Sequence, residues 1–160
     1  MMKSRILMID ADLRKKSLSY FFSLNNEKGL SNIIEELNYK NLIYELNGNL
    51  FLVPAGNEIV DPIGIFLNTK FKNFIDYISN NFEYLIFDLP PILGISETSV
   101  IIDYLDSLLF IIRADKTTIP QILNALKLIN NEKISAYIIN GVEFRSDYSG
   151  YYYYKRKVLK

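Results

Sequence analysis

Histidine, cysteine and tryptophan are absent from all 160 residues. Without the first two, zinc sites built on nitrogen and sulfur, thiol nucleophiles, Ser–His triads, disulfides and imidazole bases are all excluded. Chemistry is left to carboxylates, Lys, Arg, hydroxyls, backbone N–H groups and a hard, oxygen-seeking metal such as Mg²⁺. An excess of one charge is missing too. Eighteen Lys and Arg balance eighteen Asp and Glu, so there is no global attraction to nucleic acid or anionic membrane. No apolar run approaches the roughly 18–20 residues that span a bilayer. The start, Met1-Met2-Lys3-Ser4-Arg5, is too short and too quickly strand-like for a secretory leader. A soluble, cytoplasmic chain is expected, with no nucleic-acid partner. Hydrophobic residues at 49% and charged residues at 22% lie near the globular average, enough for the core of one domain.

What is present has a clear order. Short apolar runs alternate with longer amphipathic segments, as in a parallel sheet flanked by helices. Strands are expected at Arg5 to Asp10, Leu50 to Val53, Tyr84 to Asp88, Ser107 to Ile112 and Ala136 to Asn140. Their near-continuous apolar character suits burial on both faces. Helices are expected at Leu30 to Leu37 with Ser31 as cap, and at Phe66 to Asn80 with Phe71, Phe74, Ile75 and Ile78 on one stripe. Two more are expected at Ser96 to Leu105 after a turn at Gly94, and at Ile119 to Asn131 with Pro120 in its first turn. The division is an α/β domain over residues 1–145 and a tail over 146–160.

Two of these strands finish on carboxylates, Asp10 and Asp88. The carboxyl ends of parallel strands line the ligand crevice of open α/β sheets. The first continues as Asp10-Ala11-Asp12-Leu13-Arg14. Extended geometry would keep Asp10, Asp12 and Arg14 on one side, and with Asp88 they could hold Mg²⁺ and a polyphosphate. The plainer alternative is that each Asp caps a following turn or helix.

Ile6-Leu7-Met8-Ile9-Asp10-Ala11-Asp12-Leu13-Arg14 resembles the Walker A′ motif of the bacterial tyrosine kinases, the P-loop autokinases of capsule and exopolysaccharide synthesis. Tyr84-Leu85-Ile86-Phe87-Asp88-Leu89-Pro90-Pro91 looks like their Walker B motif. Lesser likenesses follow in the family's order at Gly29 to Ile34, Leu52 to Gly56 with Asp61-Pro62, Ile112 to Thr118 and Ile139 to Val142. The run Tyr151 to Tyr154 looks like the family's tyrosine cluster. The resemblance implies a P-loop NTPase-like fold, related to MinD and ParA, with ATP and Mg²⁺ as cofactors. It implies Asp10, Asp12 and Arg14 as catalytic residues, Asp12 and Asp88 as metal carboxylates, and Asn140 as a nucleotide contact. Tyr148, Tyr151, Tyr152, Tyr153 and Tyr154 would be the phosphoacceptors. Its implied partners are a membrane-spanning polysaccharide co-polymerase adaptor, other copies of the chain, or an intact kinase paralogue. Through such an adaptor the chain would sit at the inner face of the membrane.

The family's phosphate loop, G-x-x-x-x-G-K-[ST], occurs nowhere: none of the seven glycines is followed by Lys-Ser or Lys-Thr. The chain therefore reads as an amino-terminally truncated copy. Its lost strand would lie beside the Walker B strand, leaving backbone groups unpaired in mid-sheet unless another chain supplies it, the sheet closes up, or the sequence is a fragment of a longer one. Lys16 stands where the family usually has Pro, which reads as a minor loop change. Arg145 to Lys160 carries five basic residues, one acid and five tyrosines. Phosphorylation would add about −1.5 to −2 charges per tyrosine and reverse the tail's sign. Three functions stay open: an autokinase domain, a non-catalytic phosphoacceptor or regulatory partner of an intact kinase, and a relative of the MinD/ParA ATPases.

Overall fold

A computed structural model describes residues 4–129 and 131–142. The five tail tyrosines lie outside them. Four strands make the main sheet in the order β2-β3-β1-β4: β1 (Ile6–Asp10), β2 (Tyr44–Asn47), β3 (Leu50–Val53) and β4 (Tyr84–Asp88). β1 lies parallel to both β3 and β4, and β2 is an antiparallel edge. β5 (Leu108–Arg113) and β6 (Ile134–Asn140) pair in parallel as a separate two-stranded sheet. All five expected strands form. β2 was missed although Asn47-Gly48 is a hairpin signal, with Gly48 at φ +57° in the turn.

Alternation along β1 decides where the core sits. Leu7 and Ile9 are fully buried, and their register partners Leu85 and Phe87 share that face. Against it pack α2 (Pro62–Phe66), α3 (Thr69–Asn81) and α4 (Ser96–Ile102) through Phe66, Phe71, Phe74, Ile78 and Ile101. The Asn68 side chain accepts the Lys70 N–H to start α3, whose Phe71, Phe74 and Ile78 repeat at helical spacing. Asp61 caps α2 by accepting the Gly64 N–H, with Pro62 at its first position.

All four expected helices change, Ser96 to Leu105 forming only as far as Ile102. Leu30 to Leu37 is only a 3₁₀ turn over Leu30–Asn32. The Asn32 side chain accepts the Gly29 N–H, and the Leu30 and Ser31 N–H groups donate to Pro54 and Ala55. A short polar side chain that bonds its own backbone competes with helix propagation. The helix expected from Phe66 begins only at Thr69, Phe66 itself closing α2 (Pro62–Phe66), and α5 (Ile119–Leu126) stops short of Asn131. Two short helices were not foreseen, α1 (Ser17–Phe21) and α2 (Pro62–Phe66).

Gly29 shows how closely these loops meet. A Cβ there would lie 1.9 Å from the Pro54 carbonyl oxygen and 2.7 Å from the Gly56 nitrogen. Gly29→Ala is therefore expected to lose at least ~1–3 kcal/mol, readable as a lower urea midpoint with an unchanged slope. Gly48→Ala, where a Cβ meets nothing, carries only the milder strain of a positive φ.

Candidate active site

The carboxylates are placed by register. Asp10 and Asp88 are direct partners on adjacent parallel strands, and the Ala11 N–H donates to the Asp88 carbonyl at 2.9 Å. Their side chains therefore leave the sheet on one face, at a strand separation of about 5 Å. Asp10 is fully buried. Its Oδ2 accepts from the Ser19 N–H at 2.8 Å and the Ser19 hydroxyl at 2.6 Å, while that hydroxyl accepts the Ala55 N–H. Its Oδ1 has no hydrogen-bond partner and is the one such buried side-chain oxygen or nitrogen among the described residues. Leaving a carboxylate oxygen bare in a protein interior is costly.

Beyond Ala11 the backbone turns. Asp12 Oδ1 accepts the Lys15 N–H at 3.0 Å and the Asp12 carbonyl accepts the Lys16 N–H at 2.8 Å. The capping alternative is thus half right: both A′ carboxylates anchor local backbone, yet each keeps one oxygen free of hydrogen bonds. The expected convergence of Arg14 fails, because the turn ends the extended alternation. Arg14 instead clamps Glu97 in the first turn of α4, with Nε at 2.9 Å and Nη2 at 2.8 Å from Oε1. Glu97 is buried and was not foreseen; its only sequence signal is an acid in a helix's first turn.

Lys16 also corrects expectation. Its φ is +52°, a conformation closed to Pro, whose φ is held near −65°. Its buried Nζ donates to the Gly56 carbonyl at 2.9 Å, tying the Asp12 turn to the loop after β3. Lys16 therefore has a structural role in this loop. Asn140 ends β6 in the other sheet, where its carbonyl accepts the Ala114 N–H. A surface depression of about 270 Å³ beside the turn, lined by Leu13 to Lys16, Tyr20 and Glu58, takes in none of the three carboxylates.

Burial pushes the Asp10 carboxyl above its ordinary 3.8, against the lowering effect of Ser19, with the Asp12 charge adding to the rise. Asp88 is raised by partial desolvation first, then by the charges of Asp10 and Asp12. The three acids therefore feel one another. A carboxyl whose folded pKa is raised binds protons that the unfolded chain releases, so its contribution to stability is full below 3.8 and is lost as pH rises through the folded value. Asp88→Asn is accordingly expected to melt higher than the unsubstituted chain at pH 7, with the gap closing near pH 4.

The residues fit a divalent cation in part. No group of three or more potential ligands that could hold a metal by themselves exists among the described residues. Mg²⁺, however, is commonly held by one or two carboxylates together with phosphate and water, and the bare Oδ1 of Asp10 lies in that acidic corner.

No family model matches the chain. CapB of Staphylococcus aureus, a protein named as a tyrosine-protein kinase, is 29% identical over 154 residues, which is 94% of this chain and 68% of CapB. The tyrosine-protein kinase Ptk of Acinetobacter johnsonii is 29% identical over 144 residues, 87% of this chain and 20% of that protein. The kinase domain of Escherichia coli tyrosine kinase Etk superposes with a TM-score of 0.81 at 23% identity, over 94% of this chain and 62% of that one. The chain is a relative of the bacterial tyrosine kinases. Its fold is of the P-loop NTPase type: MinD of Pyrococcus horikoshii, solved with Mg-ADP, superposes with a TM-score of 0.61 at 14% identity, over 85% of this chain and 57% of that one. This tyrosine-kinase relative thus spans most of one curated protein and a fifth of another. Among its described residues no helix is long and apolar enough to cross a membrane.

Proposed function

We propose that the chain supplies the acidic half of a tyrosine-kinase site, serving capsule or exopolysaccharide synthesis, and that its tail tyrosines are the phosphoacceptors. The observation that carries this reading is the buried, partnerless Oδ1 of Asp10 beside Asp12 and Asp88, at the carboxyl ends of paired parallel strands. In the transfer, the tyrosine oxygen bonds to the γ-phosphorus of ATP and the bond from that phosphorus to the β,γ-bridging oxygen breaks, releasing ADP. The tyrosine proton goes to a carboxylate. Asp12 suits that role, since one of its oxygens anchors the turn and the other is free of hydrogen bonds. Asp88 faces the metal position, and Asp10, gripped by Ser19, fixes the acidic corner. Mg²⁺, when bound, would offset phosphate charge there. Arg14 acts at one remove, holding the Asp12 turn against α4 through Glu97.

The missing donors limit what the chain does alone. Residues 1–160 contain no phosphate loop, Arg14 is committed to Glu97 and Lys16 to Gly56. That favours a second reading, in which an intact kinase paralogue phosphorylates the tail in trans. A membrane-spanning adaptor of the polysaccharide system is the proposed activating partner for both. Calorimetric titration with Mg·ATP, paired with a phosphotyrosine assay, tests the first reading. Micromolar binding and tail phosphorylation are expected once phosphate donors are supplied. A chain that never acquires phosphotyrosine, with or without an intact paralogue, refutes both readings. Replacing Tyr148 and Tyr151 to Tyr154 with Phe is expected to remove the signal while leaving the melting temperature unchanged.

A further inference from the structure

We propose that the first turn of α4 is a brace that sets the spacing of Asp12 and Asp88, with Glu97 and Thr98 as its positioning residues. The loop that carries Asp12 and the loop that follows Asp88 leave the sheet from one rung, Asp10 beside Asp88, where the Ala11 N–H donates to the Asp88 carbonyl. Past that rung the ladder ends, and each loop is tied to α4 by a side chain. Glu97 Oε1 accepts from Arg14 Nε at 2.9 Å and Nη2 at 2.8 Å, two residues beyond Asp12. The next residue, Thr98, donates its hydroxyl to the Pro90 carbonyl at 3.2 Å, two residues beyond Asp88.

The buried residues of α4 are Glu97, Thr98, Ile101 and Ile102, a spacing that places all four on one face of the helix. Ile101 is fully buried in the main core and anchors the lower part of that stripe. The upper part is polar, although an apolar pair would pack there without losing hydration. A buried ion pair is weak as stabilisation, since apolar residues of similar volume often do as well or better. What Glu97 adds is direction: two N–H groups of one planar guanidinium meet a single fixed oxygen, so the backbone that bears Arg14 is held in place. Lys16 secures the same turn from the other side, through the Gly56 carbonyl. Carboxylates that act together must keep their geometry to within about 0.5 Å, and this turn and the Pro90 loop share one rigid support. The inference deepens the proposed kinase site and rests on it for what the spacing serves, but the brace can be measured without nucleotide or metal.

The full chain is compared with Glu97→Gln, Arg14→Gln and the double variant, which leaves no buried charge without its partner and so keeps the fold intact. The Lys15 and Lys16 N–H groups close the Asp12 turn. Their exchange with solvent is expected to quicken at least about tenfold in each single variant, with no further gain in the double variant. Exchange within β3 should not change. Thr98→Val is expected to displace the side-chain carboxyl carbon resonance of Asp88, and Thr98→Ser to restore it. Mn²⁺ titration, followed by the spin resonance of the free ion, is expected to weaken in Asp88→Asn, and by about tenfold in Glu97→Gln and Thr98→Val. Unchanged exchange at Lys15 and Lys16, equal quickening in β3, or a Thr98→Ser resonance no nearer the parent than that of Thr98→Val overturns the brace. So does Mn²⁺ affinity that falls in Asp88→Asn and in neither α4 variant. Mn²⁺ binding that ignores Asp88→Asn refutes the proposed metal position and, where exchange and resonance both move, leaves the brace standing.

Discussion

On the proposed kinase reading, with phosphate donors supplied, Asp12→Ala is expected to lower phosphotyrosine formation about 10²–10⁴-fold, the range for removal of a general base. Asp12 sits in a turn whose geometry also depends on its side chain, through the Lys15 N–H. Asp12→Asn separates the two roles, because the amide oxygen still accepts that N–H while the side chain no longer takes a proton. Loss in both variants identifies a proton acceptor. Recovery in Asp12→Asn reduces Asp12 to an anchor of the turn. Phosphorylation of the tail by an intact kinase should be unchanged in either variant, since a pure acceptor needs no base of its own. A paralogue that fails on both variants would mean that the turn, and not the base, is what the tail requires.

Phe71→Ala is expected to remove about 3–5 kcal/mol of stability. The ring is fully buried and meets Phe66 and Tyr104 edge-on, each at a centroid distance of 5.1 Å. Phe71 thereby joins α2, α3 and the end of α4, which seat the sheet below the carboxylates. Domains of this size have about 5–15 kcal/mol in all, so the variant should be largely unfolded in moderate urea where the parent chain is not. Phe71→Leu keeps much of the volume and should lose less than half as much. Equal midpoints for the parent and Phe71→Ala would mean that the core lies elsewhere.

The sequence alone determined five of the six strands among the described residues and the two carboxylates that end β1 and β4. A continuous apolar run that ends on Asp is a local pattern, and local patterns survive folding when both neighbours along the sheet are equally apolar. Ile6 to Asp10 and Tyr84 to Asp88 are such runs, and their register is dictated by pairing one buried face with another. The stripe Phe71, Phe74 and Ile78 was legible for the same reason, with period 3.6 in place of 2. Motif order carried the kinase relationship.

Tertiary structure decided everything that depends on residues far apart in the chain. Arg14 pairs with Glu97, 83 positions away, because a turn at Asp12 redirects it; no spacing rule reports that. Lys16 reaches Gly56 across 40 positions, and Asp10 leans on Ser19 because α1 folds back over β1. The helix expected at Leu30 to Leu37 was lost to bonds with the loop after β3, a competition invisible to propensity. The division into two sheets was fixed by which edges find a partner. Backbone donors and acceptors are the same at every residue but proline, so sequence names the strands while only three dimensions say which of them meet.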